Sequence, residues 1–187
     1  HLQLDDRVLP LVDEHVDCAL RIDTLADSSL VARELGAIRR VVCAAPAYLQ
    51  ARGTPLDLSA VSGHDGISWA GLGLHKSWAF TVRQGDTLTE LQVPVHVRVS
   101  TTTPESALQA AIAGLGLVQG TSYQVAPHVA AGRLVPVLTA HESAPLPVSL
   151  VYPSKRLMPL KLRALLDFAA PRLEQRLAEV DAVMAWR

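Results

Sequence analysis

Three stretches of this 187-residue chain come close to motifs that do chemistry. Gly66-Ile67-Ser68-Trp69-Ala70 approaches the nucleophile elbow, in which a serine on a strained strand-to-helix turn attacks an acyl group. Alanine stands where that tight turn needs its second glycine. Gly71 to Ser77 (GLGLHKS) has the flavour of a phosphate loop, yet His75 occupies the place of the glycine before Lys76 and no helical pattern follows. Gly114 to Gly120 (GLGLVQG) follows a helix rather than a strand, so its glycines end one element and open the next instead of cradling a dinucleotide.

The titratable residues give no stronger lead. The seven histidines are scattered, without an H-E-x-x-H or a closely spaced pair, and give no support to metal ligation. Asp5-Asp6 and Asp13-Glu14 are neighbours in sequence and so point in different directions on a helix or strand, which argues against a proton-sharing dyad. Cys18 and Cys43 lie in the apolar runs VDCAL and VVCAAP, where a thiol reads as a small buried hydrophobe, with a disulfide the lesser alternative. The expectation is therefore a non-enzyme with no cofactor and no bound metal.

Composition narrows the partners. Seventeen Lys plus Arg stand against eighteen Asp plus Glu, a net charge of -1, where a domain that grips nucleic acid by itself carries a clustered basic excess. Arg39-Arg40 and Lys155-Arg156 are the densest basic spots and read as solvated surface. No run of 18 apolar residues is present, and the first residues, HLQLDDR, lack the pattern of a signal peptide, so a reducing, cytoplasmic setting is expected.

The elements that must position these residues follow from periodicity. Apolar spacing at Val8, Leu11 and Val12 predicts a helix feeding a strand over residues 16 to 22, and a turn-rich stretch leads to a second strand, IRRVVCAA. PAYLQARG predicts a short helix closed by Gly53. GISWA, SWAFTV and VPVHVRVS predict strands. TTTPESALQAAIAG carries a Thr or Ser cap, Pro104 and Glu105 in the first turn, and Gly114 as terminator. LGLVQG, SYQVAPHVAAG, RLVPVL and PLPVSLVYP then read as strand, helix, strand and strand. The last helix sets Leu162, Leu165, Leu166, Leu173, Leu177 and Val180 on one face and is expected to be interrupted at Pro171. Such alternation predicts an α/β architecture with mainly parallel sheets.

The runs VDEHVDCALRI, SSLVARELGAIRRVVCAAPAYLQARGTP, IAGLGLVQG, VAAGRLVPVL and PLPVSLVYPSKRLMPLKLRALLDF resemble, in this order and spacing, the effector-binding domain of LysR-type transcriptional regulators, over about residues 4 to 170. The resemblance implies a two-lobed, type II periplasmic-binding-protein-like α/β fold with two crossover strands and a ligand in the cleft between the lobes. It would place residues 1–45 and 147–187 in the first lobe and 46–146 in the second, with VVCAAP and the region of 144–147 as crossovers. The chain opens at what looks like the family's second strand. The DNA-binding helix-turn-helix, the linker helix, and the domain's first strand and helix then lie outside it.

By position, the resemblance puts Asp5 and Asp6, Arg21, Ser68, Trp69, Ser100, Thr101, Thr102, Gln119, Gly120 and Thr121 around the effector. Hydroxyls and free N–H groups at a helix start suit an anion, so a carboxylate-bearing metabolite is the expected guest; the alternative is that the hydroxyls only cap the helix. Asp23 replaces a glycine common in the family and could bring negative charge to the rim. The implied partners are that effector, promoter DNA through the domain outside this chain, RNA polymerase, and further copies in a homodimer or tetramer, with Glu105 to Gly114 a candidate contact and no membrane. The rivals are a transporter's solute-binding protein on the same fold and an enzyme on a two-lobed scaffold.

Overall fold

The computed structural model describes residues 1–4, 11, 13–24, 30–69, 77–84, 87–153 and 158–185. Among the described residues, ten strands and four α-helices follow in the order β1 (Ala19–Ile22), β2 (Leu30–Ile38), β3 (Arg40–Ala44), α1 (Pro46–Arg52), β4 (Asp65–Trp69), β5 (Ser77–Gln84), β6 (Thr87–Pro94), β7 (His96–Thr101), α2 (Pro104–Ile112), β8 (Leu117–Thr121), α3 (Ser122–Ala130), β9 (Val135–Val137), β10 (Leu146–Pro153) and α4 (Leu160–Val183). They form two compact units: His1–Ile38 with Leu146–Asp181, and Arg39–Pro145 with Ala182–Arg187.

The first unit is a three-stranded sheet in the order β1-β10-β2, antiparallel throughout. Leu35, Ile38, Val148 and Leu150 of the sheet pack against Leu162, Leu166 and Ala170 of α4, whose spacing of four keeps them on one stripe. Two expectations are corrected here. Leu165 is nearly half exposed and stands off the buried stripe. Pro171 does not interrupt α4; it lies on the exposed side of a continuous helix, where water can take up the carbonyl that its missing N–H leaves free. Residues Val8 and Val12 of the expected first helix lie outside the described residues; 13–15 form a turn, and the strand that follows begins only at Ala19.

The second unit is built on a five-stranded mixed sheet, β7-β4-β8-β3-β9, with β5 and β6 paired as a separate hairpin. Its β7, β4 and β8 are parallel, whereas β3 runs antiparallel to both neighbours. The expected mainly parallel sheets are thus confined to three strands. One sheet face carries a core of Val42, Ala44, Tyr48, Trp78, Phe80, Val93, Val95 and Leu117. On α2, Ala107, Leu108 and Ala111 are buried, three small or medium side chains on one stripe.

The division between the units also differs from the expected boundaries. VVCAAP is no crossover: β3 belongs wholly to the second unit's sheet, and the chain passes between units at Ile38 to Arg39, at Pro145 to Leu146 and at Asp181 to Ala182. IRRVVCAA is accordingly not one strand, since Ile38 ends β2 and Arg40 begins β3. Residues 182–185, expected in the first lobe, group with the second unit. Among the described residues, no helix is long and apolar enough to cross a membrane.

Candidate functional site

The site expected in the second unit is assembled by parallel pairing. Register sets Ser68 beside Ser100 and Trp69 beside Thr101, while Ile67 lies beside Val118, so that Ser68 and Gln119 are each the next residue along. The carboxyl ends of β4, β7 and β8 therefore lie side by side, the edge where open α/β sheets expose residues to ligands. Side-chain alternation sorts these residues further. Gln119 and Thr121 fall on the face of Leu117, and Ser68 and Ser100 follow by register, whereas Trp69 and Thr101 fall on the opposite face.

Their surroundings differ. Ser68 is buried, Trp69, Thr101, Gln119 and Thr121 are half-buried, and Ser100 and Thr102 are exposed. The Gln119 amide donates to the Ala79 carbonyl of β5 at 3.2 Å, which ties the hairpin to this edge. The Thr121 hydroxyl donates to Gln124 Oε1 at 2.6 Å, and Thr101 Oγ1 donates to the Thr103 carbonyl at 3.0 Å. The cap of α2 is Thr103, whose hydroxyl accepts from the Ser106 N–H at 3.2 Å, so Thr102 stands one residue before the helix boundary.

Arg21 lies in the first unit, half-buried on β1 opposite Ser149. Asp5 and Asp6 lie outside the described residues, as does GLGLHKS apart from Ser77. Ser68 sits within a strand rather than on a strand-to-helix elbow. Of the glycines in GLGLVQG, Gly114 ends α2 at φ 81°, a conformation that favours glycine, and Gly116 lies against the Asp65 backbone. Among the described residues no group of three His, Cys, Asp or Glu could hold a metal.

Three features escaped the sequence reading. Arg39 is no solvated surface charge: it pairs with Glu142 at 3.0 Å and reaches the Met184 carbonyl. The buried Ser122 exchanges two hydrogen bonds with the Arg39 backbone. Tyr48 and His64 form a buried pair, the tyrosine hydroxyl lying 3.1 Å from His64 Nδ1 and accepting from the Asp65 N–H at 3.0 Å. The last left a faint signal, a tyrosine and a histidine in otherwise aliphatic surroundings. The first two left none, because their partners are distant in sequence.

The two thiols are free. Cys43 is fully buried, and burial pushes its pKa up to about 12. Cys18 is half-buried and raised as well, by burial first and by the adjacent Asp17 carboxylate.

The family model of the LysR substrate binding domain matches residues 1–174. The chain is 30% identical over 182 residues to the HTH-type transcriptional activator TtdR of Escherichia coli K12, covering 97% of this chain and 57% of that protein. It is 32% identical over 168 residues to the HTH-type transcriptional regulator CrgA of Neisseria meningitidis serogroup B, covering 89% of this chain and 54% of that protein. It thus spans a little over half the length of these relatives. The solved CrgA regulatory domain aligns with a TM-score of 0.72 at 31% identity, over 87% of this chain and 78% of that one. Full-length AphB, a Vibrio cholerae virulence activator, aligns at 0.77 and 22% identity over 92% of this chain and 57% of that one, a likeness of fold alone. The fold is the α/β, type II periplasmic-binding-protein-like fold of these regulatory domains, and the chain belongs to the LysR substrate-binding domain family.

Proposed function

We propose that this chain is the ligand-sensing domain of a LysR-type transcription regulator and that it binds a small organic effector, a carboxylate by preference, without catalysing a reaction. The observation that carries this reading is the side-by-side arrangement of Ser68, Ser100 and Gln119 at the carboxyl edge of three parallel strands, with Trp69 and Thr101 beside them. Two hydroxyls and an amide gathered on one sheet face at this edge suit a small polar molecule. Arg21, Asp6, Thr102 and Thr121 complete the proposed set. The first lobe of the sensor then comprises residues 1–38 with 146–181, and the second residues 39–145.

The relatives named above are transcription regulators, which favours this reading over a transporter's solute-binding protein. Promoter DNA would be contacted by a helix-turn-helix domain in the longer protein, with RNA polymerase as its further partner. Cytoplasmic location and a homodimer or tetramer belong to the same proposal, the exposed side of α2, with Glu105 and Gln109, offering one contact surface. Effector control requires different affinities for two arrangements, a coupling of about 1–3 kcal/mol. The test is promoter binding by the full-length regulator with and without candidate carboxylates: a shift of about 5–150-fold in apparent affinity supports the reading. Unchanged promoter affinity in the presence of a carboxylate that this domain demonstrably binds contradicts it.

A further inference from the structure

A concavity lies at the opposite, amino edge of the same three strands. It is a cavity of about 410 Å³ lined by Ala47, Tyr48, Ala51 and Arg52 of α1, Asp65 at the start of β4, Arg98 near the start of β7, and Ala113 to Leu115 between α2 and β8. That volume falls within the range of about 300–1,000 Å³ typical of small-molecule sites.

The charges around it are unbalanced. Two guanidinium groups face one carboxylate. Arg98 gives one N–H to Asp65 at 2.9 Å, and the Arg52 contact with the Gly63 carbonyl is long, at 3.3 Å. Each guanidinium carries five donors in a planar fork, so most of this donor capacity is available to an incoming anion. Besides Tyr48 and Gly114, the remaining lining is alanine methyls and the half-exposed Leu115, which offer an apolar shelf beside the cations.

The cavity wall is held by buried polar bonds. Tyr48 is 5% exposed, accepts from the Asp65 N–H and engages His64, which fixes α1 against the start of β4. On the other wall the Gly116 backbone touches the Asp65 backbone so closely that no side chain fits between β4 and β8. Burial holds His64 below its ordinary pKa, and the positive charge of Arg52 adds to the effect.

We propose that this amino-edge cavity is a second binding site, separate from the carboxyl-edge site, that takes a small carboxylate with an apolar or aromatic body. The carboxylate bridges Arg52 and Arg98, and the body rests on Ala47, Ala51 and Leu115. Neither this placement nor its test depends on the carboxyl-edge reading.

The experiment is an NMR titration of the chain with benzoate, with benzyl alcohol as the uncharged match and a hexapeptide of glutamate as the alternative occupant. Saturable shifts in the amides of residues 47–52 and 114–115, weakened about tenfold in Arg52→Gln and in Arg98→Gln and absent with benzyl alcohol, support the site. Both arginine side chains project from exposed positions, and an unchanged thermal midpoint confirms that each variant is folded. Absence of saturation, an equal response to benzyl alcohol, or shifts that persist in both variants would overturn it. Saturation by the peptide but not by benzoate would overturn it too, in favour of a protein segment.

Discussion

Ser122 and Arg39 hold each other by two backbone-directed hydrogen bonds: the Arg39 N–H donates to Ser122 Oγ at 3.1 Å, and the Ser122 N–H donates to the Arg39 carbonyl at 2.8 Å. Arg39 is the first residue of the second unit and Ser122 the first of α3, so this exchange pins the chain where it enters the sheet. Removing the hydroxyl leaves a half-buried N–H without its partner. Ser122→Ala is expected to cost about 1–2 kcal/mol. In a domain of this size that is a fall of roughly 2–8 °C in the thermal midpoint, measured by calorimetry.

The Gly116 position is set by space rather than by backbone conformation. A Cβ there would lie 2.3 Å from the Asp65 carbonyl oxygen, a backbone atom that can move only with β4. Gly116→Ala is expected to destabilise by about 1–3 kcal/mol or more, since overpacking forces the strands apart. Gly53→Ala meets nothing within 4 Å and strains only φ, so it serves as the comparison in a denaturant titration.

His64 makes stability depend on pH. The Tyr48 hydroxyl, which accepts from the Asp65 N–H, lies 3.1 Å from His64 Nδ1 and can donate to it while the imidazole is neutral. The native pKa lies below the ordinary 6.5, through burial first and the Arg52 charge second, against an opposing pull from Asp65. The stabilising contribution is therefore complete above about pH 6.5 and is lost as the pH falls from there through the lowered native value. Denaturant midpoints of the native chain should fall over this window more steeply than those of His64→Gln; parallel curves would contradict the assignment.

Cys43 is expected to be inert while the chain is folded. With its pKa near 12 and no exposed surface, it offers almost no thiolate at neutral pH. A disulfide reagent at pH 8 should modify Cys18 slowly and Cys43 only at the rate of unfolding. Rapid modification of both in the native state would show that β3 opens locally.

How much of this was legible depended on how local the cause was. Helix α2 could be read from Pro104, Glu105 and Gly114 because its cap and its stop lie within the segment, and the threonine cap is Thr103. The same holds for α1 and Gly53. Strand partners are chosen at long range. VVCAAP announces burial but not which sheet buries it, so the boundary expected at residue 45 differs from the observed one after Ile38. Strand β2 is hard to read locally because ARELG breaks its apolar alternation; it is held by its full-length pairing with β10. At the candidate site, the family resemblance supplied the residue positions. Register then adds a relation that no local pattern carries, that Ser68, Ser100 and Gln119 lie level across three strands on one face.

The most direct measurement is thermal unfolding of the chain against a library of small carboxylates, aromatic acids and amino acids. The account predicts at least one compound that raises the midpoint progressively with concentration, as binding to the folded state requires, and whose effect is lost in Ser100→Ala and Gln119→Ala but kept in Arg98→Gln. A library without a stabilising member, or a stabilisation that survives both carboxyl-edge substitutions, would contradict the claim that this edge holds the effector.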